Sequence, residues 1–277
     1  PWQQRQLTAS LRPDSRDVAG LASLGIMTLP DPRIVRTGRA VAEVYDYGAH
    51  VWSWSLDGQP VLWQSAATFR EPGKPLRGGV PICWPWFGPG RSGDQTPAHG
   101  VARTSDWALT EIAERDGNVV HTYSLLPGDA PGTALGEGWQ VAYEVTIGEH
   151  LELALTVAND GPTPFSYEVA LHTYLSVGDV REISISGLDQ VPYLDKVDGA
   201  HKVQDGDIKV VSETDRVYES ATDVVVTDPV LGRRLTITSE GAANTVVWNP
   251  WVAKAAAMAD FGDEEWPGML CIESGNV

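Results

Sequence analysis

The 277-residue chain carries 37 Asp and Glu against 20 Lys and Arg, a formal net charge of −17. So acidic a chain excludes nucleic acid and anionic membrane as partners, since both require a basic face. A local arginine pair could still hold a small anion at close range. With 42% hydrophobic and 21% charged residues, the composition is that of a folded protein with ample core.

Taken in order, residues 1–30 are ambiguous, although Asp17 to Leu24 reads as a short helix capped near Asp14 or Ser15. From Ala40 the texture turns to strands. Ala40–Tyr47 is rich in β-branched and aromatic residues. Val51–Leu56 and Val61–Gln64 flank Asp57-Gly58, a dipeptide suited to a tight hairpin turn. The next stretch, Arg77 to Arg103, is too rich in Gly and Pro for a helix or central strand. It nonetheless holds Ile82, Trp84, Trp86 and Phe87, with Arg77, His99 and Arg103 as its polar residues. Two readings remain open for it: a binding loop for an anionic ligand, or a packed Ω loop whose arginines pair with surface carboxylates.

Trp107–Glu114 and Val119–Leu126 flank Asp116-Gly117, a second hairpin. Gln140–Ile147 and Leu151–Ala158 follow, the latter with Leu151, Leu153, Leu155 and Val157 on one face, as a half-buried antiparallel strand requires. Phe165–Tyr174 reads as a strand with Ser166, Glu168, Ala170, His172 and Tyr174 on its less apolar face. Residues 183–218 carry short strands and polar turns. Ala221–Thr227, Arg234–Thr238 and Thr245–Trp248 are strands. Asn249-Pro250 opens a helix over Trp251–Asp260, and Met269–Glu273 is a last strand. No linker or repeat divides the chain, so an all-β sandwich or related sheet pair in a single domain over 1–277 is expected.

Among six histidines, His50, His121, His150 and His201 read as surface or structural. His99 lies in the Gly/Pro loop and His172 on a polar strand face. Glu273 ends an apolar run, as a salt-bridge partner or as a functional base with a raised pKa. His99, His172 and Glu273 would form a two-His, one-carboxylate metal set, but no close ligand spacing supports it. Cys83 and Cys271 are the only cysteines and sit among large apolar residues, as buried inert thiols do. Two cysteines, no apolar run long enough to span a bilayer and no signal-peptide core at the start lead to the expectation of a reducing, cytoplasmic location.

Six stretches together resemble the hexose-6-phosphate mutarotases, the glucose-6-phosphate 1-epimerase branch of the aldose 1-epimerase superfamily. They are Arg77-Gly-Gly-Val-Pro-Ile-Cys-Trp-Pro-Trp-Phe-Gly88, His99-Gly-Val-Ala-Arg103, Leu171-His172-Thr-Tyr174, Glu213-Thr-Asp215-Arg-Val-Tyr218, Trp248-Asn-Pro-Trp251, and Cys271-Ile-Glu273-Ser-Gly-Asn-Val277. The resemblance covers roughly residues 40–277. It implies a galactose-mutarotase-like β-supersandwich with its site on a concave sheet face. It also implies Glu273 as catalytic base and His172 as catalytic acid. Each sits on the less apolar side of its strand, so if both line one sheet face they can lie on opposite sides of a pyranose, one at O1 and the other at O5. His99 would help hold the sugar, Arg77 and Arg103 the phosphate, and Asp215 would bind substrate. No cofactor or metal is implied, the expected partner is a hexose 6-phosphate, and a monomer is expected. Two departures stand out. Ala98 replaces the Gln some relatives carry, a contact Gln95 could supply, and relatives usually continue past the Glu273 motif where this chain ends at Val277. A non-catalytic sugar-phosphate-binding protein on the same fold is the alternative. It need not keep both an acid and a base.

Overall fold

The computed structural model describes residues 28–133 and 135–277. The helix expected over Asp17–Leu24 lies outside the described residues. Every pairing between the named strands is antiparallel, and the strands form one eight-stranded, two four-stranded and one three-stranded sheet. This is the expected β-supersandwich.

The two hairpins form at the dipeptides expected. Asp57 and Gly58 have φ of 51° and 73°, and Asp116 and Gly117 have φ of 51° and 80°, the left-handed pair that matches strand twist. Leu151–Asn159 carries Leu151, Leu153, Leu155 and Val157 half-buried against a core built from Tyr123, Trp139, Tyr143 and Trp84. A second core gathers Tyr174, Ile183, Tyr218, Phe261, Leu270 and Ile272 about the eight-stranded sheet.

Three elements differ from expectation. Val61–Gln64 is not a strand: the ladder after the first hairpin stops at Gln59–Pro60, because the Val61 and Leu62 N–H groups both donate to the Trp54 carbonyl, at 2.9 and 3.2 Å, and the register is lost there. Phe165–Tyr174 is broken into Val169–Leu171 and Tyr174–Ser176. The His172 N–H instead donates to the Pro81 carbonyl at 3.0 Å, stitching this crossing to the Gly/Pro stretch. The helix runs Trp251–Ala257, three residues shorter than expected. Pro250 rather than Asn249 takes the cap position, with Asn249 Oδ1 accepting the Trp251 N–H at 2.9 Å just ahead of the helix, and the chain turns away through Met258, whose N–H donates to the Ala255 carbonyl.

The eight-stranded sheet places the site. Tyr174 pairs with Cys271, which pairs with Trp248, which pairs with Asp215. Ala170 lies opposite both Gly275 and Cys83. Directly opposed residues share a face and alternate residues return to it. One face therefore receives Cys83, Ala170, Tyr174, Asp215, Trp248, Cys271 and Glu273.

Candidate active site

His172 and Glu273 meet on this face. His172 Nε2 and Glu273 Oε1 are 3.3 Å apart, with the side chains 8% and 1% exposed. Burial pushes the Glu273 carboxyl well above its ordinary range, and Asp215 adds to this against the opposing pull of Lys196 and Arg103. Burial pushes the His172 imidazole well below its ordinary range, reinforced by His99, Arg77 and Arg103. Both shifts favour the uncharged forms, carboxylic acid beside imidazole. Moving the pair's one proton from Glu273 to His172 gives carboxylate beside imidazolium without changing the proton count. His172 Nδ1 and Glu273 Oε2 have no hydrogen-bond partner, so each group keeps one free polar atom for a ligand.

The structure brings the other expected residues to the same place. The His99 ring lies edge-on to His172 with centroids 5.7 Å apart. The Gly88 N–H donates to His99 Nδ1 at 3.3 Å, which leaves the proton on Nε2. Burial, with Arg103, Lys196 and Arg77 adding to it, pulls the His99 pKa down to about 3, so the ring is neutral. His99 has φ of 66°. Gly100 follows it because a Cβ there would come within 2.1 Å of the Trp84 carbonyl oxygen.

The two arginines are not equivalent. Arg77 is tied by its Nε and Nη2 to Asp260 and by its Nη1 to the Tyr174 hydroxyl. The side-chain bond of Arg103 among the described residues is to the Ala98 carbonyl, at 2.6 Å. Burial lowers the Arg103 pKa, and the Arg77 charge lowers it further despite Cys83; an anion would relieve both effects. Asp215 is shared between Lys196 Nζ at 4.0 Å and Lys254 Nζ at 3.6 Å. Gln95, the substitute considered for Ala98, is exposed.

Several residues of the site were not anticipated. Lys196 lies over the Phe87 ring, its Nζ 4.9 Å from the centroid, and acts electrostatically on both His99 and Glu273. Its surroundings, Asp195-Lys196-Val197-Asp198-Gly199, read as an ordinary surface turn. Tyr174 stacks flat on His172, with centroids 4.7 Å and planes 9° apart, and Trp248 meets both rings edge-on. Alternation from His172 could have found Tyr174. The donor atoms of His172, Cys271 and Glu273 lie within 4.8 Å of one another, so these three, rather than His99, His172 and Glu273, are the residues that could close on a metal ion. Burial drives the Cys271 thiol well above its ordinary range and that of Cys83 up to about 12, as expected of inert thiols.

A model of the aldose 1-epimerase family matches residues 33–277. The chain belongs to this family. Family membership makes it an isomerase. It is 34% identical over 249 residues to a candidate glucose-6-phosphate 1-epimerase from Cenchrus ciliaris, covering 85% of this chain and 75% of that protein. It is 35% identical over 231 residues to one from Salmonella typhimurium, covering 82% and 76%. The crystal structure of a candidate mutarotase from Salmonella typhimurium superimposes with a TM-score of 0.81 at 34% identity, over 88% of this chain and 82% of that one. A Synechocystis protein, 20% identical with a TM-score of 0.73 over 90% and 87% of the two chains, shares the fold. Among the described residues no helix is long and apolar enough to cross a membrane.

Proposed function

We propose that this aldose 1-epimerase family member is a hexose-6-phosphate mutarotase. The observation that carries the reading is the buried His172–Glu273 contact at 3.3 Å, within electrostatic reach of Arg77, Arg103 and Lys196. Mutarotation needs a base for the C1 hydroxyl proton and an acid for the ring oxygen. Both oxygens are bonded to C1, so acid and base belong side by side. The direct contact fits this better than the expected placement on opposite sides of the ring.

In the reactive protonation state Glu273 is a carboxylate and His172 an imidazolium. Glu273 takes the O1 proton as His172 protonates O5, the C1–O5 bond breaks, and the open-chain aldehyde forms. Rotation about C1–C2 presents the other aldehyde face. His172, now neutral, takes the O5 proton back as that oxygen attacks C1, and Glu273 returns a proton to O1. The pair holds one proton at the start and one at the end, so no cofactor is needed to balance the step. His99, with Nε2–H available, is placed to donate to a sugar oxygen. Arg103 and Lys196 supply positive charge for the phosphate dianion, with Arg77 as a directed hydrogen-bond donor.

The experiment is His172→Asn with glucose 6-phosphate. Turnover should fall by roughly 10²–10⁴-fold, the usual worth of a positioned acid, while the sugar phosphate still binds. Near-normal turnover would remove His172 from the mechanism.

A further inference from the structure

Arg77 is held before any ligand arrives. Its Nε donates to Asp260 at 3.2 Å, its Nη2 to both Asp260 oxygens at 3.2 and 3.0 Å, and its Nη1 to the Tyr174 hydroxyl at 2.9 Å. The Arg77 and Asp260 side chains are 20% and 13% exposed, so solvent screens the pair only weakly. Tyr174 in turn lies flat against His172. Asp260 reaches this position because the helix Trp251–Ala257 stops early. The following turn is closed by the Phe261 N–H on the Met258 carbonyl, and Phe261 packs on Trp63, itself stacked on Tyr174.

A guanidinium has five N–H groups in a rigid plane. Asp260 and Tyr174 together engage all three nitrogens, with one bond from Nε, two from Nη2 and one from Nη1. The plane of the group is therefore fixed before a ligand binds, and its uncommitted N–H, on a terminal nitrogen, has a direction that the other bonds set. The carboxylate also offsets part of the Arg77 charge felt at Arg103, whereas Arg103 itself has no carboxylate within salt-bridge distance among the described residues.

We infer that Asp260 is a positioning residue of this site: it fixes the plane of Arg77, seats His172 through Tyr174, and leaves Arg103 as the arginine without a carboxylate partner to face an anionic substrate. The inference rests on the mutarotase reading for its catalytic half and on the ion-pair geometry alone for its electrostatic half. The two halves act in opposite directions when Asp260 is neutralised. Removing the carboxylate charge frees Arg77 to attract anions, while loosening Arg77 costs turnover.

The test uses the full chain as Asp260→Asn and Asp260→Glu, with inorganic phosphate as a calorimetric probe and glucose 6-phosphate anomer exchange as the activity. Asp260→Asn should bind inorganic phosphate roughly three- to tenfold more tightly, the worth of one uncancelled charge at this range in a partly wet site. Its kcat should fall about tenfold without a rise in KM. Asp260→Glu keeps the charge but shifts the Arg77 guanidinium by one methylene, so phosphate affinity should stay at the wild-type value while kcat falls. Equal losses in phosphate affinity and kcat, or no change in either, would overturn the inference. If Asp260→Asn does not fold, an unchanged kcat in Asp260→Glu overturns it instead. A wild-type protein that exchanges no anomers would refute the mutarotase reading, and the phosphate titrations would still decide the electrostatic role.

Discussion

Replacing Glu273 with Gln should abolish activity and stabilise the protein at once, a combination that a structural carboxylate would not give. The activity loss follows from removing the base: roughly 10²–10⁴-fold, or about 3–5 kcal/mol of transition-state stabilisation. The stability gain follows from burial. The side chain is 1% exposed, Oε2 has no partner, and burial together with Asp215 raises the pKa well above 4.5. A group whose folded pKa is raised contributes stability that is fully present below the unfolded pKa and lost as pH rises towards the folded one. Wild type and Glu273→Gln should therefore differ least near the ordinary Glu pKa. From there the variant should gain about 1.4 kcal/mol per pH unit, until the folded pKa is reached. Its amide can still donate to His172 Nε2, so the contact survives. Thermal melts of both proteins across this pH range, beside anomer exchange measured by NMR, provide the assay. A variant that loses stability at neutral pH along with activity would refute the reasoning and make Glu273 a structural group.

Arg103→Ala should raise the KM for glucose 6-phosphate by about ten- to a hundredfold, the loss of a charge-assisted hydrogen bond of roughly 1.5–3 kcal/mol, and change free glucose little; equal losses for both sugars would dismiss it as a phosphate contact. The pH–rate profile should be a bell describing the pair as a unit, because the active form holds one proton. The acid limb, where His172 takes a second proton, should fall below the ordinary histidine value of 6.5. The alkaline limb, where Glu273 gives up the only one, should lie above the ordinary carboxylate value of 4.5. A rate that climbs steadily from one end of the range to the other would show that the proton is not shared in this way.

The strands and their turns were legible where the signal is local. Asp57-Gly58 and Asp116-Gly117 mark hairpins by their left-handed preference, and Leu151 to Val157 mark a strand by alternation. The failures were also physical. The ladder after the first hairpin ends where Val61 and Leu62 share the Trp54 carbonyl, although the apolar run there reads as a strand. At His172 the backbone leaves its own strand for Pro81, a contact between segments 91 residues apart that no periodicity reports. Of the six residues carried over from the family resemblance, Asp215 and Glu273 lie on one sheet face, His172 and His99 pack beside them, and Arg77 and Arg103 act on His172 by charge; the parity of His172 and Tyr174 pointed there. Lys196 and Asp260 were invisible because each sits in an unremarkable polar turn and acquires its role only across the fold. The inequality of Arg77 and Arg103 was hidden for the same reason: the carboxylate that separates them lies 183 residues from Arg77.

The central claim is that the buried His172–Glu273 pair, flanked by Arg103 and Lys196, opens and recloses the ring of a sugar phosphate. NMR exchange between the α and β anomers of glucose 6-phosphate, galactose 6-phosphate and free glucose, each corrected for its spontaneous rate, tests it most directly. The account predicts protein-dependent exchange of a hexose 6-phosphate at a kcat/KM well above that for free glucose. Exchange no faster than the spontaneous rate for every sugar, or a preference for free glucose, would contradict it.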